Sequence, residues 1–279
     1  MYESFFGLTG KPFSILPDPG FIYWSGPHIM AYTMMEYGMM NRAGFTVITG
    51  EVGSGKSTLI SQLLSEVDDS LTVGLVNNFG KNSGDLLRWV LMSLDQPIED
   101  ESEILLFKRF QDFVIAESAA SRRVMLIIDE AQNLGAEALE KLRMLSNINT
   151  GSEQSLQFIL VGQPQLKDLL NLPEMKQFAQ RVSSDFHLRC LRPDEVAKYI
   201  DHRLHVAGGE PGVFSKQACE LVFEASGGVP RTINIICDMA MIYAFSKKQN
   251  RISIYILREV VQDKKEYGVL SFGETAAEL

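Results

Sequence analysis

The chain contains Phe45-Thr-Val-Ile-Thr-Gly-Glu-Val-Gly-Ser-Gly-Lys-Ser-Thr58, an apolar run that leads directly into a glycine-rich loop. The segment from Gly50 to Ser57 matches the pattern G-x-x-x-x-G-K-[ST] in full, and a helical pattern follows over Ser57–Glu66. Strand, loop and helix in this order are the context in which the motif holds nucleotide phosphates. Glycine lets backbone N–H groups turn toward an anion without Cβ clashes, and the helix N-terminus adds a favourable dipole. The sequence therefore predicts a triphosphate-binding loop.

Within this loop, two side chains have distinct expected roles. Lys56 is expected to reach the β- and γ-phosphates as a positive charge, while the hydroxyl of Ser57 is expected to ligate Mg²⁺. The residues expected to contact ATP are Gly50, Glu51, Val52, Gly53, Ser54, Gly55, Lys56, Ser57 and Thr58.

A second signal is the apolar run Val124-Met-Leu-Ile-Ile128, which ends in the adjacent carboxylates Asp129 and Glu130. Neighbouring side chains of a strand point in different directions, so the two carboxylates can do different work. We expect Asp129 to hold Mg²⁺ as a Walker B aspartate does, and Glu130 to act as the general base on the attacking water. A nucleotide-binding scaffold without turnover is the less favoured alternative, because both carboxylates are intact.

The order of elements predicts an α/β fold with a parallel β-sheet sandwiched by helices. Short apolar runs rich in β-branched residues alternate with helical patterns, which is typical of βαβ units. The predicted strands are Phe45–Thr49, Leu71–Val76, Val124–Asp129, Leu156–Val161 and Ser184–Leu188. The predicted helices among them are Ser57–Glu66, Asp85–Leu94, Glu103–Ala120 and Ala136–Asn147.

Beyond Leu191 the pattern changes to helices alone, with Pro193 and two acids forming a favourable helix start. Glycine and Gln-Asn breaks separate them. We therefore predict two domains, an ATPase core over 1–190 and a small all-α lid over 191–279 with a frayed tail. The predicted lid helices are Asp194–Ala207, Ser215–Ala225, Thr232–Ser246 and Ser253–Lys264.

Composition narrows the class of protein. The 279 residues carry a net charge of −9, almost all of it before residue 190, which argues against broad binding to nucleic acid. The three cysteines have no metal-binding spacing, so neither a disulfide framework nor a zinc site is indicated. The apolar runs are far shorter than the roughly 20 residues that cross a bilayer, so we expect no direct membrane span. A reducing cytoplasm fits best.

The glycine loop, the Asp-Glu strand end, Leu160-Val-Gly-Gln-Pro-Gln165 and Gly227-Gly-Val-Pro-Arg231 together resemble an AAA+ P-loop ATPase. The opening Tyr2-Glu-Ser-Phe-Phe-Gly-Leu8, Lys11-Pro-Phe13 and Phe21-Ile-Tyr23 narrow the resemblance to the ExeA-type ATPases of general secretion. This family is similar to ATPases associated with exopolysaccharide export and exosortases. The resemblance extends over about residues 2–265.

The resemblance implies roles for three further residues. Gln163 stands at the sensor 1 position that orients water, although it could simply cap a strand. Arg181 resembles the arginine finger that reaches the γ-phosphate of a neighbouring subunit; a surface arginine or an internal ion pair is the alternative. Arg231 resembles sensor 2, which touches the γ-phosphate and couples the lid to nucleotide state. The segment Asp18–Ser25 corresponds to a region that packs near adenine, or its aromatic residues belong to the core.

The family also implies a homo-oligomer, as a ring or arc, that hydrolyses ATP with Mg²⁺ and remodels a protein partner. One expected setting is a cell-envelope secretion or polysaccharide-export machine, with the chain cytoplasmic or held at the inner membrane through a partner. The other is a DNA-loading ATPase like the TniB-type transposition proteins. The acidity of the first 190 residues disfavours this second setting.

Overall fold

The computed structural model describes residues 1–77, 86–98, 102–148 and 155–267. It contains a five-stranded parallel sheet flanked by helices, with strand order β2-β3-β4-β1-β5. The strands are β1 Phe45–Gly50, β2 Leu71–Val76, β3 Arg123–Ile128, β4 Leu156–Gly162 and β5 Val182–Leu188. The predicted α/β fold with a parallel sheet is confirmed.

The eight helices that were predicted with bounds lie close to their predicted positions. In chain order they are α1 Gly26–Met40, α2 Lys56–Ser65, α3 Leu86–Ser93, α4 Glu103–Ala119, α5 Gly135–Leu145, α6 Pro164–Leu170, α7 Lys176–Ala179, α8 Pro193–Val206, α9 Lys216–Ser226, α10 Pro230–Ser246 and α11 Ile254–Tyr267. The predicted start at Asp85 and the predicted tail lie outside the described residues. None of the helices in the described ranges is long and apolar enough to cross a bilayer.

Burial explains the strand sequences. Every residue of β4 is buried, and so is every residue of β3 after Arg123, because neighbouring strands and helices cover them. The edge strand β5 instead alternates, with Ser184 and Leu188 buried and the residues between them more exposed. In the core, the Phe45 ring stacks on Phe158 with a centroid distance of 4.8 Å. These buried residues fix the register that brings the carboxyl ends of β1, β3 and β4 to one edge of the sheet.

The chain divides into two compact units. The sheet unit comprises Ile29–Gly50 and Gln62–Leu188, and the helical unit comprises Met1–His28, Glu51–Ser61 and the residues from Arg189 onward. The division after Leu188 lies beside the predicted boundary at 190. The units differ from the predicted domains because the N-terminal segment and the glycine loop group with the later helices.

Side-chain packing accounts for this difference at the N-terminus. Tyr2, Leu8 and Phe13 are buried in the core that α8, α9, α10 and α11 form. Arg203 of α8 donates to the carbonyl oxygens of Pro12, at 2.5 Å, and of Ser14, at 3.1 Å. Its guanidinium lies over a ring of the same segment, that of Phe21. The first residues are thus part of the helical unit's core.

Candidate functional site

The phosphate-loop motif forms a tight turn between β1 and α2. Gly50 is the last residue of β1, and α2 begins at Lys56. Gly53 and Gly55 have φ angles of +78° and +104°, a region that residues with a Cβ rarely adopt. The glycines therefore permit the conformation that turns successive peptide groups around a phosphate.

The side chains of the loop divide into buried and exposed sets. Lys56 is buried, and its Nζ donates to the carbonyl oxygen of Glu51 at 2.9 Å, so the ammonium lies along its own loop. Ser54 is also buried, while Glu51, Val52 and Ser57 are exposed and Thr58 is half-buried. An ammonium, a helix N-terminus and glycine peptides are the groups that fit a polyphosphate.

The predicted sensor 2 residue contacts the loop through its backbone. The N–H of Arg231 donates to the carbonyl oxygen of Gly53 at 3.1 Å. A Cβ on Gly53 would lie 2.5 Å from the Cβ of Arg231, so glycine is required at position 53 for packing as well as for its φ angle. Pro230 begins α10 immediately before it, which fixes where the helix starts. The helical unit thus brings Arg231 to the phosphate loop, with the guanidinium exposed.

Sequence reasoning missed His28, which contacts the loop at Ser54 and Gly55. Its Nε2 lies 3.0 Å from the carbonyl oxygen of Ser54, and a Cβ on Gly55 would lie 2.9 Å from the same nitrogen. Ser25 Oγ lies 2.7 Å from His28 Nδ1. The available signal was a Ser-x-x-His pair at the start of an apolar helix, a spacing that places both side chains in one turn.

The Walker B carboxylates follow β3 as predicted. Asp129 continues the strand pairing, with its N–H donating to the carbonyl oxygen of Val76. Glu130 has a φ angle of +54°, unusual for a residue with a side chain, and its N–H donates to Asp129 Oδ1 at 2.9 Å. Such strain persists only where surrounding contacts maintain it, and it is frequent at functional sites. Carboxylate and hydroxyl oxygens, as in Asp129 and Ser57, are ligands that Mg²⁺ prefers.

Two glutamine side chains hold Glu130. Gln132 and Gln163 each donate from Nε2 to Glu130 Oε2, at 2.5 and 2.9 Å. Gln132 Oε1 in turn accepts from the backbone N–H of Gln163 at 2.9 Å, which ties the end of β4 to the turn after β3. Gly162 leaves room for this link, because a Cβ there would lie 2.9 Å from Gln132 Oε1. The structure thus brings Asp129, Glu130 and Gln163 together, and Gln132 is a member that sequence reasoning did not anticipate.

Arg181 makes its hydrogen bonds elsewhere in the sheet unit. Its guanidinium donates to Ser146 Oγ and to Asn147 Oδ1, both at 2.6 Å, just after the end of α5. The hydrogen bond from Arg143 lowers the pKa of Glu140, and the charge of Arg181 lowers this pKa further. Arg181 is half-buried and precedes β5. The guanidinium of Arg181 is therefore held by two residues of the sheet unit.

Comparisons with known proteins place the chain among its relatives. Residues 39–170 match the family model described as "AAA domain". Over 253 residues the chain is 38% identical to General secretion pathway protein A of Aeromonas hydrophila, covering 90% of this chain and 46% of that protein. The chain therefore spans about half the length of this curated relative.

Two solved structures share the fold. The Aeropyrum pernix ORC2 protein has a TM-score of 0.63 at 18% identity, covering 88% of this chain and 70% of its own. The Cdc6p of Pyrobaculum aerophilum has a TM-score of 0.68 at 14% identity, and the match covers 89% of this chain and 71% of the Cdc6p chain. At these identities the likeness shows the fold alone.

Proposed function

We propose that the chain hydrolyses ATP with Mg²⁺ as an oligomeric switch, because residues 39–170 match an AAA domain model and the chain is 38% identical to General secretion pathway protein A over 253 residues. The observation that carries this proposal is the conformation of the loop from Gly50 to Thr58. Its two left-handed glycines and the folded Lys56 ammonium form a cradle for phosphates.

In this proposal the phosphate loop binds ATP, and the carboxylates of Asp129 and Glu130 serve its hydrolysis. Lys56 offsets charge on the β- and γ-phosphates, and Ser57 with Asp129 supplies oxygen ligands for Mg²⁺. The metal, when bound, neutralises charge that develops on the phosphate oxygens. Glu130 orients and deprotonates the attacking water, with the glutamine pair fixing its Oε2. β1 and β3 end at the same edge of the parallel sheet, so Gly50 at the end of β1 and Glu130 after β3 lie on the same side of the sheet unit.

Two arginines are proposed to link the bound nucleotide to other parts of the protein: Arg231 to the lid helices and Arg181 to a neighbouring subunit. Arg231 would sense the γ-phosphate, since its backbone already bonds to Gly53 of the loop. Arg181 would complete a neighbour's site in a ring or arc, where a guanidinium can stabilise transition-state charge through two hydrogen bonds. Arginine fingers of this kind raise kcat by roughly 10³- to 10⁵-fold.

We further propose a setting in the assembly or remodelling of a partner complex at the cell envelope, in secretion or polysaccharide export. The support is the 38% identity to General secretion pathway protein A. In that setting the chain works on the cytoplasmic side and reaches the inner membrane through a protein partner. The acidity of the sequence disfavours DNA as the main partner.

The deciding experiment measures ATP hydrolysis against protein concentration, with Mg²⁺ and with the metal chelated. Metal-dependent turnover per subunit that rises with concentration supports a site completed between subunits. Turnover that is independent of concentration rejects the arginine finger. Tight DNA binding in ATP that weakens steeply with salt would favour the transposition-type setting instead.

A further inference from the structure

His28 belongs to a buried hydrogen-bonded group that includes Ser54 of the phosphate loop. Ser25, His28 and Ser54 are 3%, 7% and 1% exposed, so the Ser25 hydroxyl, the His28 ring nitrogens and the Ser54 carbonyl are all shielded from solvent. The His28 ring pairs with both neighbours: Nε2 faces the Ser54 carbonyl and Nδ1 faces the Ser25 hydroxyl. The three residues form a hydrogen-bonded chain from the start of α1 to the loop.

The hydrogen-bond pattern assigns the tautomer of His28. A carbonyl oxygen can only accept, so Nε2 must carry the proton that is donated to Ser54. Ser25 Oγ accepts from the backbone N–H of His28 at 3.4 Å, which leaves its own proton to donate to Nδ1. Burial lowers the pKa of His28, an effect that the Ser54 hydrogen bond partly offsets. The neutral ring that this network requires is therefore the favoured form.

The bond to Ser54 orients a peptide group of the loop. In a trans peptide the C=O of one residue and the N–H of the next point in opposite directions. Since the Ser54 carbonyl points to His28, the N–H of Gly55 points away from His28. Gly55 can hold this orientation because it lacks the Cβ that would lie 2.9 Å from His28 Nε2.

We propose that His28 is a positioning residue for nucleotide binding: it holds the peptide between Ser54 and Gly55 so that the Gly55 N–H faces the phosphates. Ser25 supports it by fixing the tautomer that donates to the loop. This inference rests on the proposed binding of ATP at the loop. It adds a contribution from the N-terminal segment that the loop motif does not contain.

The test is the dissociation constant for a fluorescent ATP analogue, measured on the whole chain. His28→Phe keeps a ring but removes the donor, and we expect about 10-fold weaker binding, the worth of one well-oriented hydrogen bond. His28→Gln places an amide donor near the position of Nε2, and it should restore binding to within about 3-fold of wild type. Ser25→Ala leaves the ring in place but frees its tautomer, and about 3-fold weaker binding is expected.

The controls separate positioning from folding. His205 is an exposed histidine of α8, and His205→Phe should leave binding unchanged. If His28→Phe does not fold, Ser25→Ala and His28→Gln still carry the test, because a positioning role raises the KM for ATP of Ser25→Ala by a larger factor than it lowers kcat, and His28→Gln reverses that rise. Equal affinity of wild type, His28→Phe and Ser25→Ala overturns the inference, as does failure of glutamine to rescue. Wild-type protein that does not bind the analogue at all overturns the proposed function as well.

Discussion

Gln163 Nε2 lies 2.9 Å from Glu130 Oε2, so the residue after β4 holds the carboxylate that follows β3. The same oxygen accepts from Gln132, and Gln132 accepts from the backbone of Gln163. Each of the three residues therefore restrains the other two. The two amides fix the position of Oε2, and a general base must be held in a fixed orientation toward the water that it deprotonates.

Removing the Gln163 side chain should slow hydrolysis more than it weakens binding. We expect Gln163→Ala to lower kcat by about 10- to 100-fold, because Glu130 loses the amide donor that holds its Oε2 in place. The affinity for ATP should stay within about 3-fold. Steady-state kinetics with a separate binding measurement checks this. Gln165→Ala, an exposed glutamine two residues along, is the matched control, and equal losses in both variants would contradict the role.

Gly53→Ala should disturb the loop through its contact with α10. The added Cβ would lie 2.5 Å from the Cβ of Arg231, at a φ angle of +78° that alanine rarely adopts. Strain of this kind costs about 1–3 kcal/mol, so we expect a lower midpoint of thermal unfolding and weaker ATP binding. Gly10→Ala, where a Cβ meets no atom within 4 Å, should leave both measurements unchanged. Unaltered ATP affinity in Gly53→Ala would show that this contact does not matter.

Arg181→Ala should separate binding from turnover. The guanidinium contacts Ser146 and Asn147, outside the network around Glu130, so its loss should leave ATP affinity within about 2-fold. If it acts on a neighbour's γ-phosphate, turnover should fall at least about 100-fold at high protein concentration. Lys176→Ala removes a nearby exposed cation and serves as the control. Full concentration-dependent activity in Arg181→Ala would exclude a finger at this position.

Arg203→Ala should destabilise the helical unit. Arg203 is buried and donates to the carbonyl oxygens of Pro12 and Ser14, which would lose a charged donor. A loss of about 2–4 kcal/mol in the free energy of unfolding is expected, measured by chemical denaturation. Arg192→Ala removes an exposed pair with Asp194 and should cost less than about 1 kcal/mol. Similar costs for both variants would mean that the buried hydrogen bonds contribute little.

Much of the fold could be predicted because its signals are local. The apolar run Phe45–Thr49 indicates a strand, and the glycines after it indicate a turn. The structure has a strand and a turn at these positions. Lys56 and Glu130 could be named for the same reason, although their roles remain proposals. Helix ends shifted by one to three residues, as at Tyr267 in α11, because terminal turns depend on neighbouring contacts.

The remaining features depend on contacts between residues distant in sequence. Nothing near Tyr2 predicts that its hydroxyl donates to Asp238, which anchors the N-terminus in the helical unit. Nothing in the glycine motif predicts His28, which lies 26 residues before Ser54. The role of Gln132 depends equally on Gln163, a residue on another strand end. Such pairings arise only when the sheet and the helices assemble.

The most direct test of the account is ATP turnover and ATP affinity in Glu130→Gln, with Lys56→Ala measured beside it. Glutamine keeps the shape of the side chain but cannot take a proton, so we expect wild-type affinity and at least about 100-fold slower hydrolysis. Lys56→Ala removes the buried ammonium and should instead lose ATP affinity. Glu130→Gln protein that hydrolyses ATP at the wild-type rate would contradict the central claim that this site is a hydrolytic one with Glu130 as its base.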